Sequence, residues 1–186
     1  MSQASHGYKI LPYYTYADYC KWEGRWEIIE GIPYAMSPAP LPRHQRIASV
    51  INALFYFAIK EGGCKKCKTY EFLDIKVEED TIVQPDLLIV CDEIKQSYLD
   101  FPPVLVVEII SPSTALKDRN NKLNVYQHFG IKYYLIIDPD QNSIEIFELN
   151  ELNVYETILF DPNVPFNFSL DTDCIVKVKL AEVWDE

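Results

Sequence analysis

The sequence predicts an α/β or α+β fold with a mixed central β-sheet flanked by helices. Three observations indicate this class: an amphipathic segment at residues 43–61, a series of apolar strand-like segments after it, and a second helical segment at 114–129 that precedes a further apolar strand. The chain has 186 residues, of which 48% are hydrophobic and 24% are charged. This size and composition are typical of one folded domain, so we expect residues 1–186 to form a single domain.

Each predicted element has its own sequence signal. Apolar residues recur at helical spacing from residue 43 to 61, where Gly62-Gly63 ends the pattern, and Gly130 is expected to end the second helix. The other predicted elements are a short helix near 15–22 and strands at 25–29, 32–36, 68–77, 82–90, 104–110, 133–137, 143–149 and 154–160. The core is expected at about residues 42–138, with the N-terminal helix and hairpin and the C-terminal strands as additions.

Charge and hydropathy limit the partners and the location of the chain. The formal net charge of −11 disfavours a protein that coats nucleic acid nonspecifically, but it is compatible with an enzyme or a partner-binding protein. No apolar run approaches the roughly 20 residues of a membrane span, and the N-terminus lacks the pattern of a secretory signal. We therefore expect a cytoplasmic protein with no membrane partner.

The five cysteines are expected to be reduced in that compartment. Cys64 and Cys67 form a C-x2-C pair, but a structural zinc site usually needs two more close ligands. The sequence shows no second pair of this kind, so it does not favour a zinc site.

Two acidic residues stand in apolar strands. Residues 104–110 are apolar on both faces except at Glu108, and Asp86 opens the apolar segment that follows it. A buried carboxylate is costly unless it is paired, protonated or bound to a cation. A hairpin turning near residues 96–97 would set the two acids opposite each other, about 5 Å apart at Cβ, where they could share one hard cation. The alternative is that each acid caps a loop or pairs with Lys or Arg.

The acids belong to a longer pattern that resembles a known family. The residues that carry the resemblance are Pro85-Asp86, the run from Val106 to Thr114, then Asp118, Lys122 and Tyr126, the segment from Gly130 to Pro139, and earlier Trp26 to Gly31, Met36-Ser37-Pro38 and His44. In order and spacing they resemble the bacterial family described as "putative restriction endonuclease", of the Uma type, in the PD-(D/E)XK nuclease superfamily. The resemblance covers roughly residues 11–184.

This resemblance implies a restriction-endonuclease-like core and a DNA endonuclease that hydrolyses phosphodiester bonds with a metal-activated water. Asp86 and Glu108 match the two acids that bind Mg²⁺ or Mn²⁺, and the backbone carbonyl of Ile109 would complete the coordination. The implied partner is DNA of unknown sequence. Because double-strand cutters need two active sites, and because the strands are rich in aromatic residues, a homodimer is a further hypothesis.

The catalytic lysine departs from the superfamily pattern. That motif has Lys two residues after the second acid, and here the position is Ile110. In the resembling family the lysine comes from the following helix, where Lys122 matches and becomes the third candidate catalytic residue. The alternative is a solvated lysine paired with Asp118 four residues earlier.

Four further residues are candidates for supporting roles. His44, at the start of the first long helix, is a candidate for binding phosphate or a metal-bound water, or else is a cap or packing residue. Glu71 would extend the acid cluster, or else is an exposed strand residue. Ser111 and Thr114 could supply polar groups around the site. The rival functional hypothesis is a catalytically inactive nuclease-fold module that binds nucleic acid or protein, with the acids retained for structure.

Overall fold

The fold is described from a computed structural model that covers residues 12–36, 41–111 and 117–185. Its strands in these ranges are β1 (Trp26–Ile29), β2 (Ile32–Ala35), β3 (Lys68–Tyr70), β4 (Ile75–Glu78), β5 (Thr81–Val83), β6 (Leu87–Val90), β7 (Leu105–Ile109), β8 (Tyr133–Asp138), β9 (Ser143–Leu149), β10 (Tyr155–Ile158), β11 (Phe166–Asp171) and β12 (Cys174–Val178). Its helices are α1 (Tyr16–Tyr19), α2 (Pro42–Glu61), a π-helix (Lys117–Lys122), α3 (Leu123–Phe129) and a 3₁₀-helix (Leu180–Trp184).

A six-stranded mixed sheet forms the centre, in the order β10-β9-β8-β7-β6-β3. Its only parallel pair among the described strands is β7 with β8, whose register sets Leu105 beside Tyr133 and Ile109 beside Ile137. Every residue of these two strands is buried, because apolar side chains cover both faces. The predicted mixed central sheet is confirmed.

A second, four-stranded sheet has the order β2-β1-β5-β4. Two predicted strands are therefore wrong as single elements. Residues 68–77 contribute β3 to the six-stranded sheet and β4 to the four-stranded sheet, and residues 82–90 contribute β5 to the four-stranded sheet and β6 to the six-stranded sheet. The first divides at a bend where Phe72 has a φ of +54°, and the second divides at Pro85, which lacks a backbone N–H for a strand ladder. Apolar residues stand on both sides of each break, so each pair of strands looks continuous in the sequence.

Helices and the smaller sheet cover the two faces of the six-stranded sheet. On one face, Ile51 and Phe55 of α2 join a core with Val107 and Phe168. On the other face, Tyr126 of α3 joins a core that includes residues of the four-stranded sheet. The predicted helix at 114–129 is observed as the π-helix followed by α3, within the described residues, and it ends as expected at Gly130, whose φ is +88°. No helix in the described ranges has the length and apolar character needed to cross a membrane.

The C-terminal hairpin of β11 and β12 packs beside α2. In this part of the fold the structure corrects the predicted oxidation state of the cysteines. Disulfides join Cys64 to Cys174 and Cys67 to Cys91, while Cys20 is free and exposed. The prediction of five reduced cysteines is therefore wrong for four of them. The reason is topological: β3 pairs with β6, which brings the residues flanking both strands together, and β12 begins beside the end of α2.

Candidate active site

Asp86 and Glu108 lie at one edge of the six-stranded sheet, where β6 begins and β7 approaches its end. The antiparallel register pairs Leu87 with Val107, so the next positions in that register are Asp86 and Glu108. Both are buried, with exposed fractions of 9% and 5%. Asp86 Oδ2 accepts a hydrogen bond of 2.8 Å from the backbone N–H of Ile109. The carboxylate of Asp86 is therefore bonded to the backbone of the residue that follows Glu108.

His44 reaches Asp86 from the first turns of α2. Its Nε2 lies 3.3 Å from Asp86 Oδ2, while its Nδ1 is buried with no hydrogen-bond partner among the described residues. Burial lowers the pKa of His44, but the hydrogen bond and negative charge of Asp86, together with the backbone of Ile109, outweigh it and raise the pKa overall. The side chain thus acts as a polar neighbour of Asp86 as well as a packing residue.

Lys122, the last residue of the π-helix, projects into the acid cluster. Its Nζ lies 2.7 Å from Glu108 Oε1, 2.7 Å from Glu27 Oε1 and 3.6 Å from Asp118 Oδ1. The side chain is 2% exposed, so Lys122 is not the solvated lysine of the alternative, although the pairing with Asp118 that the alternative expected is present. Its acidic contacts raise the pKa of Lys122 well above the usual value despite the opposing effect of burial, so the ammonium is charged.

Glu27 on β1 is a member of the site that the sequence analysis gave no role. It is fully buried, its Oε1 also accepts a hydrogen bond of 3.0 Å from the backbone N–H of Gln84, and its Oε2 forms an ion pair with Lys117. Burial would raise its pKa, but the charges of Lys122 and Lys117 lower the pKa overall. The available signal was an acid within the apolar strand Trp26–Ile29, the same anomaly that identified Glu108.

Tyr126 on α3 is a second residue whose role was missed. Its hydroxyl donates a hydrogen bond of 2.6 Å to Glu108 Oε1, the oxygen that also contacts Lys122. The ring is fully buried and packs edge-on against Tyr134, at a centroid distance of 5.0 Å. Tyr126 therefore fixes the orientation of the Glu108 carboxylate from the helix side.

The cluster holds more acid than base. Among the described residues, the ion pairs to the carboxylates of Glu27, Asp86, Glu108 and Asp118 come from the ammonium groups of Lys117 and Lys122 and from His44, so these ion-paired side chains carry a formal charge of −2 when His44 is neutral. Burial raises the pKa of Glu108 well above its usual value, the charge of Lys122 opposes this, and the other three acids add to it. Excess negative charge in a buried cluster favours uptake of a proton or a cation.

The donor chemistry of this cluster suits a hard cation. Carboxylate and backbone carbonyl oxygens are the ligands that Mg²⁺ and Mn²⁺ prefer. The described residues contain no group of three or more His, Cys, Asp or Glu side chains arranged to hold a metal ion. A metal ion bound by Asp86 and Glu108 would accordingly need a backbone oxygen and water molecules to complete its coordination.

Comparison with known proteins identifies the family. The model of the Uma2 family, described as "Putative restriction endonuclease", matches residues 15–172, which is most of the chain. The chain belongs to the Uma2 family. An "Uncharacterized protein" of Synechocystis sp. is 28% identical over 144 residues, covering 72% of this chain and 73% of the relative.

A solved structure supports the fold assignment for this Uma2 chain. The crystal structure of a "putative nuclease" from Anabaena variabilis superposes with a TM-score of 0.71 at 19% identity, and the match covers 91% of this chain and 98% of the other. The fold is therefore restriction-endonuclease-like, as the sequence predicted. Family and fold together support a nuclease function.

The remaining predicted residues of the Uma2 site have different outcomes. Ser111 lies two residues after the end of β7 and is half-buried. Thr114 lies outside the described residues. Glu71 is exposed in the bend after β3, and among the described residues no hydrogen bond or ion pair joins it to Asp86 or Glu108. The structure therefore does not support the prediction that Glu71 extends the acid cluster.

Proposed function

We propose that this Uma2 protein is a Mg²⁺- or Mn²⁺-dependent DNA endonuclease that hydrolyses phosphodiester bonds. The observation that carries the proposal is the buried pair Asp86 and Glu108 at adjacent positions of neighbouring strands, with the backbone of Ile109 bonded to the first acid. In a chain of this family and fold, such a pair is the natural place for a metal ion.

Asp86, Glu108 and the carbonyl of Ile109 would hold the metal ion. Their oxygens suit Mg²⁺, and a divalent cation would neutralise the formal charge of −2 in the cluster. When bound, such an ion lowers the pKa of a coordinated water and stabilises negative charge on the phosphate.

The surrounding residues orient the two carboxylates. Lys122 and Tyr126 both bind Oε1 of Glu108, which occupies the lone pairs of that oxygen and makes Oε2 the oxygen for a metal ion. The ammonium of Lys122 also keeps a positive charge beside Glu108, in place of the motif lysine that position 110 lacks. Lys122 thus remains our candidate for the superfamily lysine, while His44 supports Asp86 from the helix.

The test is a cleavage assay on supercoiled and branched DNA with Mg²⁺ and with Mn²⁺. We expect activity in the wild type and its loss in Asp86→Asn, Glu108→Gln and Lys122→Ala. Glu93→Gln, which changes an exposed acid, is the matched control and should retain activity. Activity that survives in Asp86→Asn or Glu108→Gln would contradict the proposed metal ligands.

One observation favours the second candidate function, a catalytically inactive module that binds nucleic acid or protein. The ammonium of Lys122 already contacts Glu27 and Glu108, so part of the acid cluster is satisfied without a metal ion. A wild type that cuts none of the substrates, with either ion, would support this alternative.

The proposed nuclease is a single domain that acts as a homodimer, since a double-strand cut needs two active sites. The chain mass is 21.6 kDa. Sedimentation that shows only the monomer at micromolar concentration would contradict the dimer.

A further inference from the structure

Four of the five cysteines converge at a point separate from the acid cluster. Cys64 and Cys67 lie in the turn between α2 and β3, Cys91 directly follows β6, and Cys174 begins β12. We call these residues the four-cysteine cluster. Besides the two disulfides within it, Cys67 Sγ lies 3.7 Å from Cys174 Sγ, so sulfur atoms of the two bridges are in contact.

The contact between the bridges has the spacing of metal-bound thiolates. Zinc with four cysteine ligands is tetrahedral with Zn–S near 2.3 Å, which puts neighbouring sulfurs roughly 3.8 Å apart. The Cys67–Cys174 distance of 3.7 Å matches this spacing. Cys64 and Cys67 also have the C-x2-C spacing of zinc sites. The fold therefore supplies the second pair of ligands, Cys91 and Cys174, that the sequence did not reveal.

The surroundings of the cluster suit a bound zinc ion. Cys64, Cys67 and Cys174 are buried, with exposed fractions of 8%, 4% and 4%, so their sulfurs are shielded from water. Four thiolates around one Zn²⁺ carry a net charge of −2. Lys65 and Lys66 stand between the two cysteines of the C-x2-C pair and Lys68 follows it, in a chain whose net charge is −11. This local concentration of positive charge opposes the charge of the thiolate centre.

We propose that the four-cysteine cluster binds one Zn²⁺ when its disulfides are reduced. Two equivalents of a dithiol reductant convert the two disulfides into four thiols and are themselves oxidised to disulfides. Binding of Zn²⁺ then forms four Zn–S bonds and releases the four thiol protons to water. In the disulfide form the sulfurs are bonded to each other and are not metal ligands.

The zinc centre would have a structural role that does not depend on the proposed nuclease activity. It would tie the end of α2 to β3, β6 and the C-terminal hairpin, the segments that the two disulfides join in the oxidised form. Soft thiolates select zinc, whereas the carboxylates of the acid cluster select Mg²⁺ or Mn²⁺. The two sites therefore differ in both ligand type and preferred metal.

The test is the metal content of the full chain, purified with a dithiol reductant and supplied with Zn²⁺. Elemental mass spectrometry is expected to give one zinc per chain in the wild type and in Cys20→Ser, the matched control at the free, exposed cysteine. Cys67→Ser and Cys174→Ser are expected to lose the zinc. Zinc that is retained in both of these variants would place the metal elsewhere and overturn the proposal.

A second measurement needs no variant and so does not depend on whether a cysteine variant folds. Co²⁺ added to the reduced wild type is expected to give a thiolate-to-cobalt charge-transfer band, which Zn²⁺ then abolishes. A thiol assay in parallel checks that all five cysteines are reduced. A fully reduced wild type that gives no such band and retains no zinc would overturn the proposal.

Discussion

The backbone N–H of Ile109 donates a hydrogen bond of 2.8 Å to Oδ2 of Asp86. This bond ties the residue before β6 to the last residue of β7. His44 approaches the same oxygen. Oδ2 of Asp86 is therefore engaged by protein groups, which leaves Oδ1 for the proposed metal ion. Glu108 shows the same division, because Lys122 and Tyr126 both contact its Oε1.

Mg²⁺ is expected to raise the free energy of unfolding of the wild type, and Asp86→Asn is expected to abolish this increase. A ligand present at 100 times its Kd adds about 2.7 kcal/mol to the free energy of unfolding, which corresponds to roughly 5–10 °C in Tm for a chain of this size. Thermal unfolding followed by circular dichroism, with and without Mg²⁺, measures the shift. Asp92→Asn, at an exposed position, is the control and should respond like the wild type. An equal gain in Asp86→Asn would argue against Asp86 as a ligand.

Glu27→Gln is expected to destabilise the fold strongly. The substitution removes a fully buried negative charge that contacts both Lys117 and Lys122. Breaking a buried ion pair from one side costs on the order of 3 kcal/mol, because the partner charge stays buried. Equilibrium unfolding in urea measures the loss. Glu23→Gln changes an exposed glutamate nearby and should leave the midpoint unchanged, and a similar small effect in both variants would disprove the importance of the pair.

Tyr126→Phe is expected to lower the free energy of unfolding by roughly 1–3 kcal/mol, since the ring stays packed and only the hydrogen bond to Glu108 is lost. Urea unfolding of this variant is compared with that of Tyr56→Phe, whose side chain is 52% exposed. We expect no measurable change for the exposed tyrosine. If the two variants unfold at the same midpoint, the hydroxyl of Tyr126 does not support the site.

Phe168→Ala is expected to cost about 3–5 kcal/mol, because this side chain of β11 is fully buried against Phe55 of α2 and Tyr133 of β8. The measurement is again the urea midpoint. Ile175→Ala on the paired strand is the control, since Ile175 is 60% exposed. A small loss for Phe168→Ala would show that the C-terminal hairpin contributes little to the core.

The parts of the fold that could be predicted from sequence depend on local patterns. The sequence predicts β7 and β8 because both of their faces are apolar, and it predicts the end of α3 because Gly130 is a glycine, the residue type that most readily adopts the positive φ observed there. Glu108 was found because it interrupts such a pattern. The division of the predicted strand at 68–77 between two sheets was missed, because the positive φ of Phe72 has no signature in an otherwise regular sequence.

The missed parts of the candidate site depend on contacts between distant segments. Glu27 meets Lys122 only because β1 joins the smaller sheet and that sheet packs beside α3. The disulfides likewise depend on strand order, as Cys64 and Cys174 are separated by 110 residues. Spacing along the chain carries no information about such pairs, whereas the fold determines them.

The ion pair between Glu27 and Lys117 joins residues that are 90 positions apart in the chain. Its acidic partner comes from a strand outside the six-stranded sheet, although the other acids of the site lie within or beside that sheet. A chain whose first strand has not yet packed therefore has an incomplete site, with two lysines lacking their shared counter-ion. A chain in which β1 has not packed is therefore expected to lack the proposed cleavage activity.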